Sequence, residues 1–339
     1  MLFTTPLVHN LRLEFPQSTI VYLSNRRTST FLEKNSDINQ VMVYERDEFV
    51  AVYRQSPIQF AQKWMELFSS LKQQRFDLVF DFSLNSTFGF LSFAGGIKKR
   101  VGFDYRKRGR FLTDKISIKG FEGKHVIEHY LELLGLVNVP VKSREMKLDI
   151  PKDEMQWAEN WIKEYKIDRS KPLIAVMPGG GASWGKAARN KRWPAVKYAD
   201  LIDKIVEKFD AAIILLGDNQ EEELCREVAQ LAHVPLYLAV GETSVLGLAA
   251  LLKSCRMAVL NDGGPLHVAV ASGTKTVSIF GPVDPHVYGP YPPQHHRLVQ
   301  KNLACQPCYR NFRQARCNHI NCLATLSVEE VYRKVQEIL

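Results

Sequence analysis

Short apolar runs rich in β-branched and aromatic residues alternate with amphipathic stretches along the whole chain. This alternation is typical of βα units and predicts parallel sheets, which places the protein in the α/β fold class. The runs fall into two series. The first predicts strands over residues 18–23, 41–44, 78–82 and 99–103. The second predicts strands over residues 173–177, 211–216, 236–239, 257–260, 276–280 and 297–300.

Between the two series lies a stretch, residues 137–151, that contains Pro140 and Pro151. Amphipathic periodicity predicts helices over residues 57–71, 125–136, 153–165 and 195–209. We therefore place a domain boundary near Pro151, with domains at 1–150 and 151–339. Doubly wound domains bind ligands outside the carboxyl ends of their strands, so the chemistry is expected in strand-to-helix loops.

The start of the chain departs from this pattern. Residues 4–15 read as a helix, with Leu7, Leu11 and Leu13 on an apolar face and Pro6 in the first turn. A βα series ordinarily opens on a strand, and none precedes this helix. Two explanations stay open: the fold begins on a helix, or the first strand and its loop are missing.

Composition narrows the class of protein. With 45% hydrophobic and 24% charged residues over 339 positions, the chain is expected to be globular rather than disordered or fibrous. Its apolar runs fall far short of the roughly 20 residues that span a bilayer, and no charged leader precedes an apolar segment at Met1. Six cysteines in such a chain favour a reducing compartment. We therefore expect a cytoplasmic protein.

The formal net charge of +9 is concentrated in the first domain, where 22 Lys and Arg face 16 Asp and Glu. Much of the excess lies in one stretch: Lys98, Lys99, Arg100, Arg106, Lys107, Arg108 and Arg110. Such a stretch attracts a polyanion, namely nucleic acid, anionic lipid or a phosphorylated sugar, or else is a solvated loop. Because no helix-turn-helix, zinc-finger or interleaved aromatic pattern accompanies it, we expect no nucleic-acid partner.

A glycine-rich loop with cationic side chains follows the predicted strand 173–177. Its candidate binding residues are Gly180, Ser183, Trp184, Lys186, Lys191 and Arg192. Glycines let backbone amides approach a ligand, and the lysines and arginine supply cationic donors, so the loop suits a phosphate. The spacing fits neither a Walker A loop nor a dinucleotide fingerprint, which argues against P-loop hydrolysis and hydride transfer. An ordinary glycine-rich crossover with surface lysines is the alternative.

A second loop follows the predicted strand 257–260 and leads into a helix that starts near Pro265. Its candidate residues are Asp262, Gly263, Gly264 and, one turn into the helix, His267. A helix N-terminus presents free amides and partial positive charge, which favours a bound diphosphate. Asp262 is either a helix cap or a polar contact to the ligand, and His267 is either a ligand contact or a packed core residue.

Two further segments carry candidate residues. After the predicted strand 211–216, Glu221 lies in an acidic first helical turn, where it either complements the helix dipole or accepts ribose hydroxyls. Near the C-terminus, four cysteines have types and spacings compatible with a structural zinc: Cys305, Cys308, Cys317 and Cys322. Reduced free thiols and one or two disulfides are the competing interpretations.

Taken together, these segments resemble glycosyltransferase family 9, the ADP-heptose:lipopolysaccharide heptosyltransferases. The resemblance is carried by residues 4–7 (Thr-Thr-Pro-Leu), 76–82, 100–105, 178–184, 191–194, 261–267 and 280–285 and by the cysteine cluster. It implies a GT-B architecture of two Rossmann-like domains that face a central cleft. It also implies heptose transfer from an ADP-sugar to the lipopolysaccharide core with inversion, by a cytoplasmic protein peripheral at the inner membrane.

Carried over by residue, the resemblance implies that Lys191 contacts the donor diphosphate and is catalytic, without a metal cofactor. It implies that Asp262, Gly264 and His267 belong to the donor-binding loop and that Glu221 holds the ribose. Gly263 stands where relatives usually have Ser or Thr.

The family's N-terminal strand ends in a Gly-Asp turn that carries its presumed base, and the resemblance begins after that turn. A nucleotide-sugar-binding protein with impaired catalysis, or a transferase of another sugar, is therefore the alternative.

Overall fold

The computed structural model describes residues 1–181 and 185–339, with the backbone alone for residues 185–187. The described chain forms two compact units. The first consists of Met1 and Phe3–Arg144, and the second of Leu2 and Glu145–Leu339. The boundary near Pro151 drawn from the sequence falls inside the second unit, just before its first helix.

The N-terminal unit opens on a helix, as the sequence predicts. Its helices are α1 (Thr5–Glu14), α2 (Arg26–Leu32), α3 (Arg46–Gln55), α4 (Pro57–Gln73), α5 (Ser86–Ala94) and α6 (Val126–Gly135). Its strands are β1 (Val21–Ser24), β2 (Gln40–Val43), β3 (Leu78–Asp81), β4 (Lys99–Tyr105) and β5 (Asp114–Ile118). A 3-10 turn, Leu2–Thr4, precedes α1, and Pro6 lies in the first turn of that helix.

The five strands of this unit form two separate parallel sheets, β1–β2 and β3–β4–β5. Four of the strands match predicted ones, whereas β5 was missed. The reason is its sequence, Asp-Lys-Ile-Ser-Ile, in which charged and polar residues break the apolar run. Its residues are half-buried and exposed in turn, as in a strand with one face toward solvent.

The C-terminal unit contains the larger sheet. Its helices are α7 (Lys152–Glu164), α8 (Ala195–Phe209), α9 (Glu222–Leu231), α10 (Val245–Ser254), α11 (Gly264–Ala271), α12 (Pro285–Tyr288), α13 (Asn321–Ala324) and α14 (Val328–Gln336). The strands of its main sheet are β6 (Leu173–Met177), β7 (Ala212–Gly217), β8 (Tyr237–Val240), β9 (Met257–Asn261), β10 (Lys275–Phe280) and β11 (His296–Gln300). A two-stranded antiparallel ribbon pairs β12 (Tyr309–Arg310) with β13 (Arg313–Gln314).

All six strands of the main sheet are parallel, in the order β8-β7-β6-β9-β10-β11. This is the doubly wound order, and each strand matches one that the sequence predicts. Alternate residues of β6 enter two different cores: Ile174 and Val176 pack on one face, Ala175 and Met177 on the other. Burial of both faces explains why these strands are continuous apolar runs.

Helices cover both faces of this sheet. On one face, Tyr198 of α8 and Val331 of α14 pack against the strands, and on the other, Trp161 of α7 and Leu251 of α10 do so. Within the described ranges, no helix is both long and apolar enough to cross a lipid bilayer.

Candidate functional site

The glycine loops identified in the sequence lie at the switch point of the C-terminal sheet. From β6 the chain passes to β7 on one side, and it later returns to β9 on the other side of β6. The carboxyl ends of β6 and β9 are therefore neighbours, and crevices at such points bind ligands in open α/β sheets. The loop after β6 is residues 178–181, here the β6 loop, and the loop after β9 is residues 262–264, here the β9 loop.

These two loops pack directly against each other. Gly180 and Gly181 have φ angles of 125° and 75°, in the region that favours glycine. A Cβ on Gly263 would overlap the carbonyl oxygen of Gly180, so glycine is required there for the close approach. Asn261, fully buried at the end of β9, joins the loops because its Nδ2 donates to the carbonyl oxygens of Pro178 at 2.7 Å and Gly179 at 3.1 Å.

Glu221 supports the β6 loop with its buried carboxylate. It is 3% exposed, its Oε1 accepts from the amide of Gly181 at 2.8 Å, and its Oε2 accepts from the amide of Asp218 at 3.3 Å. A Cβ on Gly179 would overlap this carboxylate. Burial raises the pKa of Glu221, whereas the hydrogen bond from Gly181 opposes that shift.

Lys191 forms a buried ion pair with Asp262 of the β9 loop. The Nζ to Oδ2 distance is 2.7 Å, and the two side chains are 8% and 5% exposed. Burial raises the pKa of Asp262, and the ammonium group of Lys191 opposes the shift. Because a buried charge needs a partner, each of these two groups holds the other in place.

The two residues after Lys191 are also tied to the same loops. Nη2 of Arg192 lies 3.7 Å from Oε1 of Glu221, and the amide of Trp193 donates to Oδ1 of Asn261 at 3.2 Å. The indole of Trp193 donates to the carbonyl oxygen of Leu326 at 3.0 Å. Three consecutive residues thus anchor the end of the segment that leads from the β6 loop into α8.

The interpretation of Asp262 as a helix cap is wrong. Helix α11 begins at Gly264, its N-cap is Gly263, and no side chain of the described residues caps it. Asp262 instead pairs with Lys191, because an uncompensated buried ammonium is more costly than an uncapped helix end. The N-terminus of α11 carries the partial positive charge of a helix dipole, which favours a bound anion.

The structure brings most of the predicted donor residues together. Gly180, Glu221, Asp262, Gly263 and Lys191 are linked through the contacts described above, and Gly264 and His267 follow on α11. Ser183 and Trp184 lie outside the described residues. Sequence reasoning gave no role to Asn261, although a polar side chain that ends a buried strand is a signal that could have identified it.

The cysteine cluster does not form a prepared metal site. All six cysteines are free thiols, so the disulfide interpretation has no counterpart in the structure. Burial, together with the nearby thiols of Cys308, Cys317 and Cys305, raises the pKa of Cys322 to about 11, so the four thiols lie in one region. Yet across the described residues no three His, Cys, Asp or Glu side chains are placed to hold a metal ion. The zinc expectation stays a prediction.

The fold and the site are typical of α/β proteins that bind a phosphorylated ligand at the switch point of a doubly wound sheet. Residues 64–319 match the sequence profile of Glycosyltransferase family 9 (heptosyltransferase). The chain belongs to this family and is therefore a glycosyltransferase.

Individual relatives agree. The chain is 29% identical over 237 residues to lipooligosaccharide heptosyltransferase 2 of Campylobacter jejuni, covering 69% of each protein. It is 21% identical over 305 residues to lipopolysaccharide heptosyltransferase 2 of Escherichia coli, covering 88% of this chain and 83% of that protein.

Solved structures show the same fold. A family 9 glycosyltransferase from Veillonella parvula superposes with a TM-score of 0.79 at 20% identity, covering 99% of this chain and 92% of that one. The E. coli heptosyltransferase WaaC with ADP gives a TM-score of 0.70 at 17% identity, covering 100% and 96%. The fold is GT-B, as expected from the sequence.

Proposed function

We propose that this protein is an inverting glycosyltransferase that moves a heptose from ADP-heptose to the inner core of lipopolysaccharide. Family membership and the activities named for its relatives support this function. The observation that carries it is the Lys191 ammonium, buried at a switch point beside two interlocked glycine loops. A cation in that position suits the diphosphate of a nucleotide sugar.

The donor is held by the loops of the C-terminal sheet. The amides of Gly263 and Gly264 at the start of α11 and the ammonium of Lys191 meet the diphosphate, and Asp262 orients the ammonium. His267 completes this set from one turn into the helix. Glu221 holds the ribose hydroxyls, since a carboxylate has about four lone-pair sites and two amide contacts leave some of them available.

The reaction is a displacement with oxocarbenium character at the anomeric carbon. As the glycosidic oxygen departs with ADP, negative charge grows on the diphosphate, where Lys191 and the α11 amides stabilise it. A fixed cation and a helix dipole thus neutralise the leaving group, so the scheme needs no metal. A carboxylate removes the acceptor hydroxyl proton, and we assign no residue of this chain to that role.

The remaining partners follow from the acceptor. Lipopolysaccharide core is anionic and lipid-anchored, so the protein works in the cytoplasm, peripheral at the inner membrane, and nucleic acid is not a partner. We further propose that Cys305, Cys308, Cys317 and Cys322 bind a structural zinc that takes no part in catalysis, and that their side chains rearrange from the placement described above to do so. Elemental analysis tests this: one zinc per chain, lost in Cys308→Ser, supports it, and a metal-free folded chain overturns it.

The decisive experiment is transfer by the purified chain. ADP-heptose and a heptose-deficient lipopolysaccharide acceptor are incubated with the protein, and product is detected by mass spectrometry and ADP release. We expect Lys191→Ala to lower kcat by about 10²-fold or more, because the leaving-group charge grows toward the transition state. The matched control is Lys171→Ala, which removes an exposed lysine paired with Asp210.

The outcomes separate the alternatives. ADP binding without transfer identifies a nucleotide-sugar-binding protein with impaired catalysis. Transfer from a different ADP-sugar, but not from ADP-heptose, changes the assigned sugar. If Lys191→Ala raises only KM, then Lys191 binds the ground state and the transition state equally well, which contradicts its catalytic role.

A further inference from the structure

An exposed aromatic cluster lies beside the basic stretch of the N-terminal unit. Phe90 and Phe93 of α5 are 49% and 54% exposed. Both rings contact Phe111, with centroids 5.2 Å and 5.8 Å away. We call Phe90, Phe93 and Phe111, with the surrounding cations, the aromatic-basic patch. Two neighbouring exposed phenylalanines packed on a half-buried third are unusual unless another apolar phase covers them.

Cations surround these rings. The guanidinium of Arg100 lies 5.4 Å from the centroid of Phe93, and that of Arg110 lies 4.8 Å from Phe111. Arg100 is held in place because its Nε donates to the carbonyl oxygen of Phe111 at 2.6 Å. The patch therefore combines exposed apolar ring edges with neighbouring guanidinium groups.

Two of the nearby acidic groups are already neutralised by lysines. Asp114 pairs with Lys99 at 2.8 Å, and Asp104 pairs with Lys115 at 3.2 Å. Five exposed cations of the stretch form no ion pair with any residue that the structure describes: Lys98, Arg106, Lys107, Arg108 and Arg110. Their charge is available to an external anionic surface.

We propose that the aromatic-basic patch docks this protein onto an anionic lipid bilayer. Aromatic side chains enter the boundary between headgroups and acyl chains, and basic residues bind the lipid phosphates. Nucleic acid fits less well, because bases stack on open ring faces. Here Phe93 and Phe111 stack on each other with 29° between their planes, and guanidinium groups lie over both rings.

This inference rests on the proposed function, because an enzyme with a lipid-anchored acceptor must bind that acceptor at a membrane surface. Its test uses neither donor nor acceptor, so its failure is distinguishable from a failure of transfer. The full chain is sedimented with phosphatidylcholine vesicles and with vesicles of phosphatidylcholine and phosphatidylglycerol at 7:3. We expect binding to the anionic vesicles only, weakened by raising the salt concentration.

Two pairs of substitutions separate the components. Arg108→Glu with Arg110→Glu should lower the partition coefficient by more than about 10²-fold, since each basic residue contributes roughly fivefold near an anionic surface and each reversal also adds a repelled negative charge. Phe90→Ser with Phe93→Ser should lower it about tenfold and leave its salt dependence unchanged.

Matched controls use exposed residues away from the patch. Leu13→Ser with Phe15→Ser removes apolar groups that are 43% and 46% exposed, and Lys34→Glu with Lys72→Glu reverses two exposed charges. Circular dichroism and thermal unfolding confirm that each variant folds. Patch variants that bind like the wild type, or like their controls, overturn the proposal. So does wild-type protein that binds a labelled oligonucleotide more tightly than the anionic vesicles.

Discussion

Breaking the Lys191–Asp262 pair should destabilise the C-terminal unit far more than an ordinary ion pair would. The charged atoms lie 2.7 Å apart, and the side chains are 8% and 5% exposed, so water cannot replace a lost partner. Removing one member of a buried pair costs about 3–5 kcal/mol, because the other charge stays buried without compensation. We expect Lys191→Met and Asp262→Asn each to lose stability in this range.

The double variant should recover most of the loss. With both charges gone, no uncompensated charge stays buried, and replacing a buried pair by neutral groups is often close to neutral. The double variant, Lys191→Met with Asp262→Asn, should therefore lose much less unfolding free energy than the sum of the losses in the two single variants. In Lys191→Met alone, Asp262 keeps a pKa raised by burial, so the folded state favours its protonated form. The loss of unfolding free energy in Lys191→Met should then grow as pH rises above the pKa range of an ordinary Asp, and it should shrink as pH falls toward that range.

Urea unfolding followed by tryptophan fluorescence measures these values. Four of the five tryptophans lie in the C-terminal unit, and Trp193 is buried two residues from Lys191. The control is Lys171→Met, whose partner Asp210 is 77% exposed, and it should cost less than about 1 kcal/mol. If Lys191→Met costs no more than this control, or if the single losses simply add, the pair does not hold the site together.

Three further predictions concern single positions in the C-terminal unit. Gly263→Ala should abolish most ADP binding measured by calorimetry, because its Cβ would overlap the Gly180 carbonyl oxygen. The control Gly135→Ala lies in the N-terminal unit, where a Cβ would meet no described atom within 4 Å, and it should bind ADP normally. Asn261→Leu should lower the unfolding free energy by about 2–4 kcal/mol, since buried groups in both loops lose partners; an unchanged urea midpoint would contradict this. Burial lowers the pKa of His296 to about 4, so the unfolding free energy should decrease as pH drops from about 6.5 to 4, where only the unfolded state binds a proton at this residue. His296→Gln should make the unfolding free energy less dependent on pH in that range, and identical pH profiles for the variant and the wild type would refute this prediction.

The strands of the main sheet were predictable because burial on both faces makes each one a continuous apolar run. Local residues also identified the two glycine loops, since glycines and cations after a strand indicate a phosphate site. Their pairings were not predictable. That Asn261 meets Pro178, or that Glu221 supports Gly181, depends on which strands are neighbours, and the strand order is fixed only by the packed sheet.

The N-terminal unit divides its strands between two separate sheets, whereas the C-terminal unit has one six-stranded main sheet. The two sheets are β1–β2 and β3–β4–β5. Each of β1 and β3 therefore pairs on one edge only within the described chain. That this unit opens on a helix was expected from the sequence, whereas the division into two sheets is set by the packed structure.

The open edges of β1 and β3 predict that the N-terminal unit is the less stable of the two. No residue of β3 is fully buried, whereas every residue of β7 and of β9 is. Because β1 and β3 each have an open edge and β3 is less buried, local opening of this unit costs less free energy. Its backbone amides should therefore exchange their hydrogens faster. Hydrogen exchange by mass spectrometry should show peptides of β1 and β3 exchanging at least about tenfold faster than those of β7 and β9. Equal protection in both units would mean that contacts from the helices make up for the open strand edges, and the division into two sheets would then have no consequence for stability.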